Sequence, residues 1–249
     1  MTDDRSPPAD TDDATRLPFE LLAQPNDSTC GPTCLHGVYG YFGDPLPLDD
    51  VIAGVRALPT GGTLAVSLGC HALRRGYRAT IYTCNLQVFD PTWFAPGVSI
   101  PEKLRAQRSV KSSQRLSLAT DAYLEFFELG GRMKYEDLNS ALFRRYLRRG
   151  IPILTGLSAT HLYRCSRERD DGGYDDVAGV PVGHFVVLSG YDPGTREVLV
   201  ADPLANNPGF GSQNYRVRMD RLIAAILLGI VTYDANLLVI EPSIRKPAQ

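Results

Sequence analysis

The chain is predicted to be α+β, with helices crowded into its N-terminal half and an antiparallel sheet in its C-terminal half. Three observations predict it. Leu35, Val38, Tyr39 and Phe42 recur at helical spacing behind the cap-forming cluster Asp27-Ser28-Thr29. His184-Phe185-Val186-Val187-Leu188 and Glu197-Val198-Leu199-Val200-Ala201 are short apolar runs joined through Tyr191-Asp192-Pro193-Gly194, the pattern of a β-hairpin. Ile151 to Gly156 adds a buried strand upstream of that hairpin.

Residues 1 to 16 are rich in Asp, Pro, Thr and Ser and read as a disordered acidic tail, leaving 17 to 249 as one folded domain. Helices are expected at about 30–42, 48–57 and 63–75, the last stopped by Gly76, and then a strand at about 77–84. Trp93, Phe94 and the Pro96-Gly97 turn suggest a packed loop, and Pro101 to Val110 a short helix or a mobile arm. Lys103, Arg105, Arg108, Lys111 and Arg115 read as a solvated basic face rather than a site for an acidic substrate. Ala119 to Leu129 is a helix stopped by Gly130-Gly131. The next helix, about 135–149, turns Leu138, Leu142, Tyr146 and Leu147 inward, ends in Arg144, Arg145, Arg148 and Arg149, whose charges complement its dipole, and is capped by Gly150. Ser158 to Val182 is a long polar loop running into His184, a lid or substrate wall. Strands 183–191, 196–202 and 237–240 complete the sheet, and Leu222 to Ile230 is a core helix.

The chemistry-bearing residues are Gln24, Cys30, His184 and Asp202, in that order along the chain. A cysteine attacks as its thiolate, so it needs a helix N-terminus, an imidazolium, or both. Cys30 opens the first helix, where unpaired N–H groups favour negative charge and can hold an oxyanion. Gln24, six residues upstream, offers a side-chain amide as a second oxyanion donor. His184 and Asp202 sit at the open end of the hairpin, and they can hydrogen-bond only if they share a face. Pairing them directly leaves a three-residue loop; a plain two- or four-residue loop puts His184 opposite Pro203 instead. An odd loop or a bulge is therefore required. Asp192 precedes a proline and resists the helical conformation of the commonest three-residue loop, so a bulge further along serves equally. His161 is the rival base, but no aspartate follows it in a hairpin.

The strings Gln24…Thr29-Cys30-Gly31-Pro32-Thr33-Cys34-Leu35, Gly183-His184-Phe185-Val186-Val187-Leu188 and Ala201-Asp202-Pro203 resemble the papain-like cysteine peptidases of the bacteriocin-processing type, peptidase family thirty-nine. The resemblance covers about Leu17 to Glu241. It implies a papain-like fold, with Cys30 as nucleophile, His184 as base, Asp202 orienting it and Gln24 in the oxyanion hole. It also implies a peptide or protein substrate. The transporter-linked members cut leader peptides after a double glycine and are fused to membrane and ATPase domains. This chain shows neither domain and looks closer to the stand-alone bacterial proteins of the same fold.

Composition narrows the alternatives. The chain has 249 residues, is 43% hydrophobic and 22% charged, and carries a formal net charge of −2, which does not suggest nucleic acid. The first twenty residues hold six acids against two arginines. The longest apolar stretch, Leu222 to Val231, is too short to span a bilayer, and the N-terminus is not a signal peptide, so neither membrane nor export is expected. Cysteines at 30, 34, 70, 84 and 165 are odd in number and fit reduced thiols in a cytoplasm. Cys30, Cys34 and His36, with Cys70-His71, make a ligand-like cluster, but residue 36 points away from 30 and 34 and no second tight pair exists; no metal or other cofactor is expected. Cys34 reads as packing behind the nucleophile. The reaction is thus acyl transfer through Cys30, resolved by water or by a second amine in a transpeptidase or amide-forming enzyme. A catalytically dead peptide-binding module is the remaining alternative, although such copies usually lose the cysteine or histidine first.

Overall fold

A computed structural model describes residues 14–59 and 61–243 of the chain. Its centre is one eight-stranded sheet in the order β3-β2-β8-β4-β5-β6-β7: β2 is Arg78–Thr83, β3 Arg132–Lys134, β4 Ile153–Ser158, β5 Gly183–Asp192, β6 Glu197–Ala201, β7 Asn214–Arg218 and β8 Asn236–Glu241. The two-residue β1, Thr15–Arg16, pairs with Gly190 and Tyr191 of β5, beyond the point where β4 ends. Most of the expected tail, residues 1–13, lies outside the described residues. Its last two residues belong to the sheet instead.

The sheet departs from a purely C-terminal, antiparallel one in two ways. β2, from the first half of the chain, pairs antiparallel with β8, and β3 lies parallel beside β2. β4 and β5 are buried along almost their whole length, which is why both read as continuous apolar runs. β7 alternates buried Tyr215 and Val217 with exposed Asn214, Arg216 and Arg218, as suits an edge strand covered on one face.

The helices are α1 (Cys30–Tyr41), α2 (Leu48–Gly54), α3 (Ala65–Arg74), α4 (Ile100–Val110), α5 (Gln114–Glu128), α6 (Ser140–Leu147), α7 (Ala159–Tyr163) and α8 (Met219–Leu228). Gly76, Gly130 and Gly150 stop α3, α5 and α6 as expected. At each the backbone turns left-handed and the following N–H reaches back to close a six-residue ring, as in Tyr77 N to Ala72 O at 3.0 Å. Two starts differ from expectation. The 135–149 helix begins only at Ser140, because the Asn139 side chain accepts from Leu142 N at 3.0 Å and caps it there. α5 begins five residues before Ala119, where Ser113 caps Leu116 N. The 101–110 segment is a helix, started by Ser99 and Pro101.

α1 is buried from Cys30 to Leu35 and rests on β5. Gly31 is required there: a Cβ would stand 2.5 Å from Thr63 Cγ2 and 3.3 Å from the Phe185 ring. Among the described residues no helix is long and apolar enough to cross a membrane.

Candidate active site

The hairpin that carries the histidine and aspartate has a bulge. Asp192 pairs with Glu197 across a four-residue turn, and this register would put Asp202 on the face opposite to His184. Between Leu188 and Gly190 the register shifts by one, leaving Ser189 as the extra residue, so that Val187 pairs with Ala201. His184, Val186 and Leu188 then share a face with Val200 and Asp202. The expected bulge is present, but the two residues are diagonal neighbours rather than directly opposed. His184 Nε2 and Asp202 Oδ1 are 2.8 Å apart.

Asp202 is fully buried, and four donors satisfy it. His184 Nε2 and Leu204 N (2.9 Å) reach Oδ1, while the hydroxyls of Tyr163 and Tyr215, each at 2.7 Å, donate to Oδ2. Burial alone pushes this carboxyl up, yet the charge of His184 and these hydrogen bonds hold it below its usual value. His184, 6% exposed, is raised to about 10: burial lowers it, but Asp202 more than reverses that, and a hydrogen bond with Cys30 adds to the rise. Both shifts favour the imidazolium–carboxylate form of the pair.

Cys30 is the first residue of α1 and is nearly buried. Its neighbour one turn on, Cys34, is sealed, donates to Phe185 O at 3.4 Å, and has its thiol pushed well up by burial and then by Cys30 and Asp202. Among the other ligand-like residues, Cys70 donates to Ala122 O, and His71 Nδ1 is 2.8 Å from the Tyr39 hydroxyl. Gln24 lies beside the pair, its backbone N donating to Pro203 O at 2.9 Å. Its side-chain Nε2 donates to Asn26 O at 3.1 Å, and its Oε1 is buried without a hydrogen-bond partner. One amide hydrogen is thus engaged locally.

Two cavities lie side by side and share Asp27, Val182 and Gly183. One, of about 250 Å³, contains Cys30, Arg115 and Asp234 in its wall. The other, about 140 Å³, contains His184 and Gln24. The 158–182 segment supplies much of the second wall, including Tyr163, Glu168 and Tyr174. It opens with α7 and is pinned by bridges from Glu168 to Tyr174 and Val180. His161, the rival base, lines neither cavity. Of the five basic residues between 103 and 115, Arg115 alone lines either cavity, with its guanidinium 4.5 Å over the Tyr233 ring.

Three further side chains stand at the site, none of them marked by a local sequence signal for such a place. Tyr163 lay in a segment expected to be loop, Tyr215 in a strand not foreseen, and Asp234 just before β8. Asp234 is buried with Oδ1 unpartnered, is hydrogen-bonded by Thr232 at 2.9 Å, and is raised to about 7 by burial. The alternation of Tyr215 and Val217 was the one available signal.

Residues 111–222 match the family described as Peptidase_C39 like. Among solved structures, the chain resembles a putative C39-like peptidase from Bacillus anthracis at 18% identity, covering 93% of this chain and 100% of that one, with a TM-score of 0.49. It also resembles xylellain, a cysteine protease from Xylella fastidiosa, at 15% identity over 92% of this chain and 86% of that one, with a TM-score of 0.44. A third is a double glycine motif protease from an AMS/PCAT transporter, solved in complex with the leader peptide: 14% identity, 92% and 95% coverage, TM-score 0.43. No curated protein matches by sequence. The family match takes in β4, β5, β6 and β7, and the architecture around it is α+β, with a helix that opens on Cys30 packed against the sheet strand that carries His184.

Proposed function

We propose that this cysteine peptidase-like protein hydrolyses amide bonds of a peptide substrate through Cys30, His184 and Asp202. The observation that carries the reading is the buried His184–Asp202 pair at 2.8 Å with the Cys30 thiol hydrogen-bonded to its imidazole at a helix N-terminus. In this reading the thiolate attacks the scissile carbonyl, and the imidazolium gives its proton to the leaving amine. The first N–H groups of α1 and the free amide hydrogen of Gln24 hold the tetrahedral oxyanion. Water then attacks the thioester, with His184 as base, and releases the acid.

The two cavities support a peptide rather than a small amide. A leaving amine must lie where the imidazole can protonate it, so the wall containing His184 faces the leaving segment and the wall containing Cys30 faces the acyl segment. Five free thiols favour a reducing, cytoplasmic compartment.

The test is the pH–rate profile of iodoacetamide alkylation at Cys30, read by peptide mass spectrometry in the native chain and in His184→Ala. The expected result is fast, selective labelling of Cys30 at about pH 6, lost in the variant. Slow labelling with an ordinary thiol profile near about pH 8.5, unchanged by the substitution, overturns the proposal and leaves a binding groove.

A further inference from the structure

We infer that Tyr163 and Tyr215 are positioning residues for the proposed reaction. Their hydroxyls keep the Asp202 carboxylate ionised and turned so that Oδ1 faces His184, and Tyr163 makes that alignment depend on the wall segment 159–182. The inference rests on the reading of Cys30, His184 and Asp202 given above.

A carboxylate with no exposed surface has no water to fall back on, so each protein donor it loses is felt in full. Both phenols donate to the same oxygen, at 2.7 Å, and leave the other to His184 and Leu204 N. That division fixes the rotation of the carboxyl group about its own axis. Burial, and then the Asp202 charge, raise both phenols, so each stays a donor across the working range of pH. The other titratable or charged groups facing the cluster are His184, Cys30, Cys34 and Arg221, with Glu168 and Asp234 acting on it through His184.

The two tyrosines come from different parts of the chain and are held by one ring. Phe210 stacks on Tyr215 with centroids 3.8 Å apart and planes 5° from parallel, and it meets Tyr163 edge-on at 6.4 Å. The Arg221 guanidinium covers the outer side of Phe210 and also donates to Leu162 O, which ties α8 to α7. Gly209 lets the 203–213 loop pass directly over Tyr163, since a Cβ there would stand 2.7 Å from the Tyr163 Cα. These packing contacts involve rings and backbone, and a phenylalanine at 163 or 215 would keep the rings. The hydroxyls therefore do something the packing does not need.

The experiment compares Tyr163→Phe and Tyr215→Phe with 3-fluorotyrosine placed at the same positions. The main readout is the downfield proton of the hydrogen bond between His184 and Asp202, followed by NMR as the pH is lowered until the carboxylate is protonated and the signal is lost. Losing a donor weakens the ionised carboxylate, so each phenylalanine moves that loss upward by about one pH unit. Fluorotyrosine has the same shape but a more strongly donating hydroxyl, and it moves the loss downward. The rate of Cys30 alkylation at neutral pH falls by about tenfold in the phenylalanine variants. Where a phenylalanine variant fails to fold, the fluorotyrosine forms decide. A signal lost at the native pH in all variants, or shifts of the same sign for phenylalanine and fluorotyrosine, overturns the inference. An ordinary thiol profile at Cys30 combined with opposite shifts of the downfield proton sinks the peptidase reading instead and leaves the positioning role standing.

Discussion

His184 is the residue whose charge decides how this site behaves. Its pKa is raised to about 10 against an ordinary 6.5, so its ionic contribution to stability is complete below 6.5 and is lost as pH rises through about 10. Asp202 is shifted the other way: its contribution is present above its unfolded value and is lost as pH falls through its lowered folded value. Imidazole NMR should therefore find His184 protonated well above neutrality, and Asp202→Asn should bring its titration back down towards or below the ordinary range. A His184 that titrates near 6.5 in the native protein contradicts the pair as described. Cys34 gives a contrasting prediction. Its thiol is buried and pushed up, so Cys34→Ala should leave the Cys30 alkylation rate within about twofold while costing about 1 kcal/mol of stability, read by urea unfolding.

At the scale of the element, the β5–β6 hairpin depends on one unpaired residue. Side chains alternate with period two, so one residue more or less between His184 and the turn exchanges the faces of the strand. Ser189, at the bulge, supplies the extra residue. Deleting Ser189 should carry His184 to the face away from Asp202, together with Val186 and Leu188, which are wholly buried now. The expected outcome is loss of the fast Cys30 labelling and a large fall in stability by circular dichroism. A variant that still labels rapidly at pH 6 would show that the pair does not depend on the bulge. The need for an irregularity was legible from the loop length and parity of the hairpin. Its place at residue 189 was not, because that depends on how β5 bends between β4 on one side and β1 beyond the end of β4.

The whole molecule has a second buried acid, Asp234, wedged against Gly156 and Gly183 in the wall of the cavity that contains Cys30. Cβ atoms at Gly156 and Gly183 would stand 2.7 Å and 2.6 Å from its carboxylate oxygens, so both strands approach it closely only as glycines. Burial raises it to about 7 from 3.8, opposed by Thr232, Arg115 and His184. A raised acid contributes stability that is complete below its unfolded pKa and is lost as pH rises through the folded one. Stability should therefore decline between about pH 4 and 7 on this account, and Asp234→Asn should flatten that slope in urea unfolding measured across the range. An unchanged slope would place the titration elsewhere.

The sequence by itself determined the parts whose signals are local. Caps, glycine stops and apolar periods depend on a few neighbouring residues, and they located α1, α3, the stops of α5 and α6, β4 and the hairpin within a few positions. The order of Gln24, Cys30, His184 and Asp202 also carried enough chemistry to name a candidate site. Tertiary structure alone decided what needs contacts between distant segments. β3 is three residues long and β1 two, so neither has a period to read, and each exists only because β2 or β5 offers an unpaired edge. The two tyrosines on Asp202 come from positions 39 residues before it and 13 after it. Nothing in their local sequence separates them from other core tyrosines, because what distinguishes them is a buried carboxylate that only the folded chain brings within reach.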